Sequence, residues 1–250
     1  MFKSYRDIFS QRADSYHRAM RTWPKARDQE FFNLLSCVPI EKFSRVCDLP
    51  AGGGYLYDYL APLEVNYTAL EQSDIFYQSC PQSESCQRMI AEFSDIPLPD
   101  KQFDLIYSLA GLHHIKERAP VYAEMYRLLD HGGYAVIADV YDGTPTASFL
   151  NGFVDQHCSG GHEGIFLNKQ DEIELQAVGF ELLESQLRDF HWRFPSVEAM
   201  CEYCAGMFGL DLSLPERTLQ GIDSSLGFRK LDGFVEMKWS LLFLTLKKSN

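Results

Sequence analysis

The chain has 250 residues, of which 46% are apolar and 14% are aromatic, and it carries a formal net charge of −12. This length and composition are typical of one large globular domain, or of a domain with an appended lobe, and they exclude a disordered chain. An acidic surface repels phosphate backbones, so nucleic acid and anionic membranes are not expected as partners.

No signal peptide or membrane span is predicted. The first residues mix charges with aromatics, and the longest apolar stretch, at 239–246, is too short to cross a bilayer. The seven cysteines form no regular framework, which indicates reduced thiols. We therefore expect a soluble, cytoplasmic protein. The closest pair, Cys201 and Cys204, falls in a predicted amphipathic helix, where we expect both thiols to be packing residues.

Two helices are predicted at the N-terminus. Apolar residues recur at helical spacing over residues 2–20, and a second helix is expected to begin after Pro24 and to include Leu35. We interpret residues 1–39 as lid helices, with Tyr16 folding over a bound ligand and contacting substrate. The alternative is that the first helix only covers the sheet.

From residue 40 to residue 250, short apolar strands alternate with helices. This alternation predicts an α/β domain with a doubly wound, mostly parallel sheet. Helices are expected after Gly54 and at 119–129 and 169–178, and a helical insertion at about 196–226 is expected to cap the pocket. The predicted strands lie at 43–49, 65–70, 88–91, 103–109, 134–140, 180–190 and 235–246.

The strongest local motif is VCDLPAGGG, from Val46 to Gly54. A strand that runs into glycines and then a helix lets the backbone approach a ligand closely, because glycine has no Cβ. Glu71 ends the second strand, where its carboxylate can accept two hydrogen bonds from ribose hydroxyls. Together these features indicate a nucleotide site, and they leave a nicotinamide and an adenosyl ligand as alternatives.

The following stretch separates those alternatives. AEFSDIPLPDKQFDLIYS, from Ala91 to Ser108, leads into LHHI at 112–115, and Glu124, Arg127 and the pair Gly132-Gly133 come later. In this order the motifs closely resemble those of class I S-adenosylmethionine-dependent methyltransferases of the small-molecule type, over residues 40–145.

The resemblance implies a Rossmann-like, seven-stranded, mostly parallel sheet whose last strand is antiparallel. It also implies S-adenosylmethionine as cofactor, S-adenosylhomocysteine as product and a small-molecule methyl acceptor as partner. Asp48 would anchor the glycine turn or the methionine amino group, Glu71 would hold the ribose, and Glu92 with the Phe93 amide would read adenine. The residues implied to bind the cofactor are Asp48, Ala51, Gly52, Gly54, Glu71, Glu92, Phe93, Ser108 and Leu109.

The chain departs from the family pattern at three positions. Pro50 replaces the usual first glycine of the turn, which removes an amide donor and fixes φ near −65°. His131 replaces the usual proline before Gly132, and Glu92 replaces the commoner aspartate. We expect Pro50 to be a tolerated variant, because proline suits an extended approach to the turn.

Several polar residues are candidates for catalysis or substrate contact. His113 and His114 follow the fourth strand, where either ring can accept a proton near neutral pH or serve structure alone. His157 and His162 lie in the loop after the fifth strand, which suits substrate contact, and Arg193 ends the sixth strand, where it can pair with a carboxylate. The segment 157–163 matches no closed zinc motif, so no metal is expected.

Two other functions remain open at this point. A nicotinamide-dependent oxidoreductase is disfavoured, because the turn lacks the spacing GxGxxG and no YxxxK set is present. A non-catalytic binding protein of the same fold, or a member with unusual chemistry, is favoured by Pro50. The identity of the acceptor and the oligomeric state are not predicted.

Overall fold

The structure is a computed structural model that describes residues 4–249. Within this range, the strands are β1 Arg45–Asp48, β2 Asn66–Glu71, β3 Cys86–Ile90, β4 Phe103–Leu109, β5 Leu129–Asp139, β6 Phe180–Phe194, β7 Phe228–Leu231 and β8 Phe234–Lys248. The α-helices are α1 Tyr5–Thr22, α2 Asp28–Leu35, α3 Tyr57–Leu60, α4 Asp74–Ser79, α5 Ala119–Leu128, α6 Pro145–Ser148, α7 Asp155–His157, α8 Lys169–Val178, α9 Val197–Phe208 and α10 Pro215–Ser225. Single turns of other helix types lie at Ile40–Lys42, Ala61–Leu63, Leu112–His114 and Phe149–Val154.

The strands form one sheet in the order β3-β2-β1-β4-β5-β8-β6. The pairs from β3 to β5 are parallel, whereas β8 is antiparallel to both β5 and β6. This arrangement confirms the predicted doubly wound, mostly parallel sheet with an antiparallel last strand. Its parallel strands all end at one edge, where ligands bind in open α/β sheets.

The described residues contain an eighth strand, so the prediction of seven strands is corrected. β7 forms a hairpin with β8, and its residues are mostly exposed. It was missed because the segment FRKLDG has no buried apolar run. β5 also begins earlier than predicted, at Leu129. Gly132 has φ +73°, but it lies within a register irregularity of β5 and does not end a helix.

β6 and β8 form a ribbon that extends beyond the carboxyl edge of the parallel strands. β5 stops at the pair Asp139–Leu242, whereas β6 continues along β8 to the pair Phe194–Val235. The helical segment α9 and α10, which connects β6 to the β7–β8 hairpin, therefore starts above the edge of the sheet. The ribbon and this segment form one side of the space over the sheet.

Helix α1 closes the other side. A capping box begins it: the Ser4 hydroxyl accepts from the Asp7 amide at 3.2 Å, and the Asp7 carboxylate accepts from the Ser4 amide at 3.3 Å. The helix packs on α9 at Gly206, where a Cβ would lie 3.1 Å from the Ala19 Cβ and 3.2 Å from the Ser15 carbonyl oxygen. Glycine at this position therefore allows the two helices to approach closely.

The sequence predicted that Cys201 and Cys204 are packing residues in an amphipathic helix. Cys201 and Cys204 are buried in α9, and the Cys204 thiol lies 3.8 Å from the Met237 sulfur. Among residues 4–249, no helix is both long enough and apolar enough to span a membrane.

Glu236 joins the three strands of the hairpin and ribbon, and its replacement tests that role. Its buried carboxylate accepts from Arg193 Nη2 at 2.7 Å and from Arg229 Nη2 at 2.6 Å. Although burial opposes ionisation, these arginines hold the pKa of Glu236 below its usual range. Because both arginines are more than half exposed, we expect Glu236→Gln to lower the free energy of unfolding by only about 1 kcal/mol at neutral pH.

A carboxyl with a depressed pKa stabilises the fold above its unfolded pKa and loses that effect as pH falls through the folded pKa. The difference between wild type and Glu236→Gln should therefore be constant above about pH 5 and should shrink below about pH 4. Urea unfolding at several pH values measures it, with Glu181→Gln on exposed β6 as the control. A difference that grows on acidification would contradict the assignment.

Candidate functional site

The site is built where the loops after β1 and β4 meet. A Cβ on Gly111 would lie 2.1 Å from the Pro50 ring, so only glycine permits this approach of the two loops. Ala110, the preceding residue, has φ +51°, a conformation that residues with a side chain rarely adopt. Its amide is held by the Ala138 carbonyl at 2.8 Å. Two pockets adjoin this junction, and Ala110 lines both.

The predicted glycine turn follows β1. Gly52 and Gly54 have φ values of +55° and +72°, so glycine is required at both positions. The Gly54 amide donates to the Ala51 carbonyl at 2.9 Å, and the Ala51 amide donates to the Leu70 carbonyl at 3.0 Å. The turn is therefore fixed to the end of β2, next to Glu71.

Glu71 is fully buried and fully hydrogen-bonded. Its Oε2 accepts from the Gly52 amide at 2.8 Å and from the Tyr5 hydroxyl at 2.9 Å. Its Oε1 accepts from the amides of Gln72 and Ser73 at 2.7 and 2.9 Å. Burial raises the pKa of Glu71 to about 7, although the four hydrogen bonds act to lower it. The carboxyl is thus poised to change charge near neutral pH.

Asp48, at the end of β1, is a second buried acid, and it lines the first of the two pockets. Its Oδ2 accepts from the Tyr67 hydroxyl at 2.6 Å. Burial raises the pKa of Asp48 to about 7, while the Tyr67 hydrogen bond opposes the rise and the charge of Glu71 adds to it. The two acids therefore compete for ionisation across the glycine turn.

Aromatic side chains of α1 cover this first pocket. Tyr5, Phe9 and Tyr16 all point from α1 into it, and the Phe9 ring lies 4.9 Å from that of Phe76. The complete lining is Tyr5, Phe9, Tyr16, Arg27, Phe31, Asp48, Pro50, Ala51, Gly52, Tyr55, Leu56, Phe76, Leu109, Ala110 and Gly111.

Five predicted cofactor residues lie outside that lining: Gly54 and Glu71, which are buried directly behind it, and Glu92, Phe93 and Ser108. Glu92 is exposed, and its carboxylate pairs with Arg6 at 2.8 Å and accepts from Gln72 Nε2 at 3.0 Å. Phe93 is buried with its ring 5.5 Å from that of Tyr5. Ser108 is buried, and its hydroxyl has no hydrogen-bond partner within residues 4–249. Leu109, by contrast, lines the pocket as predicted.

A second pocket adjoins the first and shares Phe9, Tyr16, Arg27 and Ala110 with it. One wall is aromatic: the Trp192 and Trp239 rings stack at 4.3 Å, and the Phe208 ring lies within 6.1 Å of both. Its remaining lining residues are Arg12, His113, His114, Val140, Leu150, His162 and Met207.

Three of the predicted histidines come together in the second pocket. The His114 ring lies 4.1 Å from the His113 ring and 5.3 Å from the His162 ring. His113 Nδ1 is 2.6 Å from Asp139 Oδ1, and His162 Nδ1 is 2.9 Å from Asn151 Oδ1. All three imidazoles are buried. Burial, followed by the charges of neighbouring groups, places the pKa values of His114 and His162 well below the usual range.

Two other predicted contacts lie outside both pocket linings. The His157 ring stacks on Phe153 at 4.2 Å, and its Nδ1 lies 2.8 Å from the Phe153 carbonyl. Arg193 pairs with Glu236 and lies over the Phe234 ring at 4.4 Å. Neither side chain is brought together with the histidine cluster.

A buried charged group that the sequence did not reveal separates the pockets. Arg27 is 4% exposed, forms an ion pair with Glu30, and donates to the Tyr16 hydroxyl at 2.7 Å. Glu30 in turn accepts from Trp192 Nε1 at 2.7 Å. The sequence signals this ion pair only through Glu30, an acid one turn after Arg27. The contact of Glu30 with Trp192 joins residues that are distant in the chain, so no local pattern indicates it.

Comparison with known proteins gives a family for part of the chain. Residues 47–137 match the family model described as a methyltransferase domain. The sterol 24-C-methyltransferase of Gibberella zeae is 24% identical over 188 residues, covering 69% of this chain and 47% of that protein. The malonyl-[acyl-carrier protein] O-methyltransferase of Enterobacter lignolyticus is 28% identical over 101 residues, 40% of either protein. The chain thus spans less than half the length of these curated relatives.

A solved structure extends the likeness over nearly the whole chain. The phosphoethanolamine N-methyltransferase 2 of Haemonchus contortus was solved with phosphomonomethylethanolamine and S-adenosylhomocysteine. It superposes with a TM-score of 0.65 at 15% identity, covering 99% of this chain and 61% of that chain. Residues 47–137 therefore match a methyltransferase domain, and the chain shares the fold of solved methyltransferases of the class I S-adenosylmethionine-dependent type.

Proposed function

We propose that the chain transfers a methyl group from S-adenosylmethionine to a small-molecule acceptor held in the second pocket. The observation that carries the proposal is the buried Glu71 carboxyl joined to the Gly52 amide at the carboxyl edge of the sheet. A carboxylate at the end of the second strand, beside a glycine turn, is the arrangement that binds ribose hydroxyls in open α/β sheets.

The residues of the first pocket fit such a cofactor. Glu71 would accept from the ribose, Gly52 would let the cofactor lie against the backbone, and Asp48 would receive its amino group. The unpartnered Ser108 hydroxyl, at the end of β4, is a further buried group that a polar ligand would satisfy. Glu92 and Phe93 lie outside the pocket lining and contact Arg6 and Tyr5 of α1. Recognition of adenine by these two residues therefore requires that α1 moves away from them.

The cofactor, when bound, supplies a methyl group on a positively charged sulfur. The protein has to align the acceptor with this group and to exclude water, and alignment alone can contribute about 7–11 kcal/mol in favourable cases. Phe9 and Tyr16 border both pockets, which suits them to hold the two ligands together. We propose that residues 1–39 act as a lid and that α9, through Met207 and Phe208, caps the acceptor.

The acceptor pocket combines an aromatic wall with imidazoles. Trp192, Trp239 and Phe208 favour an acceptor with a planar or apolar part. The relatives are named for a sterol, an acyl-carrier protein ester and an ethanolamine phosphate, which share no single chemistry. His113, with its Nδ1 bound to Asp139, retains Nε2 as a nitrogen that can accept a proton from the acceptor.

Calorimetry with S-adenosylhomocysteine tests the cofactor, and Glu71 provides the variant. We expect Glu71→Gln to weaken binding by about 1.5–3 kcal/mol, because charge-assisted hydrogen bonds to the ribose are lost. Glu84→Gln, on an exposed loop, should leave the dissociation constant unchanged. An unaltered constant in Glu71→Gln would remove Glu71 from the site, and stabilisation of the wild type by NAD instead would refute the cofactor.

The same titration should depend on pH. Ionised Glu71 accepts both ribose hydroxyls, whereas the protonated form does not, so binding should tighten as pH rises through the pKa of about 7. If only the Glu71 carboxyl titrates, the dissociation constant should be up to about tenfold higher at pH 6 than at pH 8. Asp48 titrates in the same range, so Glu71→Gln should reduce the dependence without abolishing it. Binding that is independent of pH would contradict this role.

Tyr5 provides a test of the lid. Its hydroxyl occupies an acceptor position on Glu71 that a ribose hydroxyl would need. Tyr5→Phe removes this competitor, and we expect S-adenosylhomocysteine to bind up to about fivefold more tightly, equivalent to one net hydrogen bond. Tyr57→Phe, whose hydroxyl contacts only loop serines among the described residues, is the matched control. Weaker binding in Tyr5→Phe would instead indicate that Tyr5 contacts the ligand.

Methyl transfer itself requires a turnover assay across acceptors of different chemistry. Formation of S-adenosylhomocysteine with one acceptor class would support the enzyme. Tight cofactor binding without product from any class would favour the alternative of a binding protein with the same fold.

A further inference from the structure

We propose that His113, His114 and His162 bind a divalent transition-metal ion, with Zn²⁺ the best match, in the wall of the second pocket. Each imidazole offers one ring nitrogen, and the three nitrogens lie within 4.8 Å of one another. Zinc–imidazole bonds of 2.0–2.1 Å require nitrogens about 3.4 Å apart, so closure needs shifts on the order of 1 Å. Three protein ligands with one open position is the usual composition of a zinc site that binds substrate or water.

The first ligand is oriented by a carboxylate. Asp139 is fully buried, and its Oδ1 also accepts from the Val140 amide at 2.7 Å. Its Oδ2 accepts from the His113 amide at 3.2 Å, so both carboxylate oxygens act as acceptors. His113 Nδ1 must therefore carry the proton toward Asp139, which leaves the Nε2 lone pair free. Carboxylate–histidine pairs of this kind are common behind zinc ligands.

The second ligand is oriented by an amide. Asn151 Nδ2 donates to the Gly164 carbonyl at 2.8 Å, and its Oδ1 accepts from the Gly164 amide at 2.7 Å. These two bonds fix Oδ1 as the acceptor, so His162 Nδ1 donates to it and His162 Nε2 is free. Both outer histidines thus present the same nitrogen for the same reason.

The third imidazole has an orphaned nitrogen. His114 Nδ1 is buried and has no hydrogen-bond partner among residues 4–249. A buried polar atom without a partner costs free energy unless a ligand or an ion satisfies it.

The charges around the cluster indicate what completes the coordination. Asp139 supplies one negative charge behind His113, while Arg12 lines the same pocket and adds a positive charge. A divalent ion beside Arg12 therefore favours an anionic fourth ligand, either hydroxide or an acidic group of the acceptor. The site would hold such an acceptor next to the first pocket. A bound ion would use the Nε2 lone pair of His113, so in the metal-loaded protein a metal-bound hydroxide, and not His113, would accept the acceptor's proton. Metal binding itself does not depend on the proposed methyl transfer.

Metal titration without any adenosyl compound tests the site. The purified chain is stripped with a chelator, which is then removed, and titrated with Co²⁺ and with Zn²⁺. We expect one ion per chain and the visible spectrum of four-coordinate Co²⁺ without thiolate charge-transfer bands. His162→Gln should weaken Zn²⁺ binding at least about 100-fold, and Asp139→Asn about 10–100-fold. His131→Gln, at an exposed position near the start of β5, is the matched control and should bind as the wild type does.

Wild-type spectroscopy covers the case in which a variant fails to fold. X-ray absorption of the zinc-loaded wild type counts its imidazole ligands directly, and three are expected. No saturable binding, thiolate bands, or equal affinity in a folded His162→Gln would overturn the site. Cofactor binding is measured separately, so either proposal can fail alone.

Discussion

A carboxyl group buried at the edge of the sheet needs hydrogen-bond donors or a proton, and Glu71 organises the structure through this requirement. Its donors come from separate elements: Gly52 from the turn after β1, Ser73 from the start of α4, and Tyr5 from α1. Satisfying one side chain therefore fixes how these elements meet. The pKa of Glu71 is about 7 even with its donors, so the carboxyl can take up a proton near neutral pH. We therefore expect that one donor, such as the Tyr5 hydroxyl, can be replaced by a ligand hydroxyl.

An exchange of hydrogen-bond partners at Glu71 would also affect helix α1. Tyr5 is tied to Glu71, and one to three turns further along the same helix Phe9 and Tyr16 border both pockets. A ribose that displaces the Tyr5 hydroxyl would thus act on the helix that covers the acceptor. The two pockets share Phe9 and Tyr16, so we expect coupling between the two proposed ligands to pass through this shared wall.

Local patterns predicted the class of the fold and five residues that line the first pocket, Tyr16, Asp48, Ala51, Gly52 and Leu109. The glycine turn, Glu71 and the alternating strands each depend on a short segment, and residues 40–145 contain them in chain order. Arg27, Trp192 and the grouping of His162 with His113 depend on long-range contacts that no local period encodes. β7 was missed because its exposed residues lack an apolar signal, and Arg193 was assigned to substrate because its partner Glu236 lies on another strand.

Apart from Arg12 in the second pocket, the ionisable groups of the two pockets are paired, neutral or able to change charge. Arg27 is paired with Glu30, Asp139 lies against His113, and burial lowers the pKa values of His114 and His162 and so favours their neutral forms. At the first pocket, burial raises the pKa values of Asp48 in the lining and of Glu71 behind it to about 7. A cationic ligand between them lowers the free energy of ionising both, and it thereby creates its own counter-charge. The second pocket lacks such adjustable acids in its lining, so a cation there must be bound by neutral nitrogens or accompanied by an anion. The chemistry of each pocket is thus limited by which of its groups can still change charge.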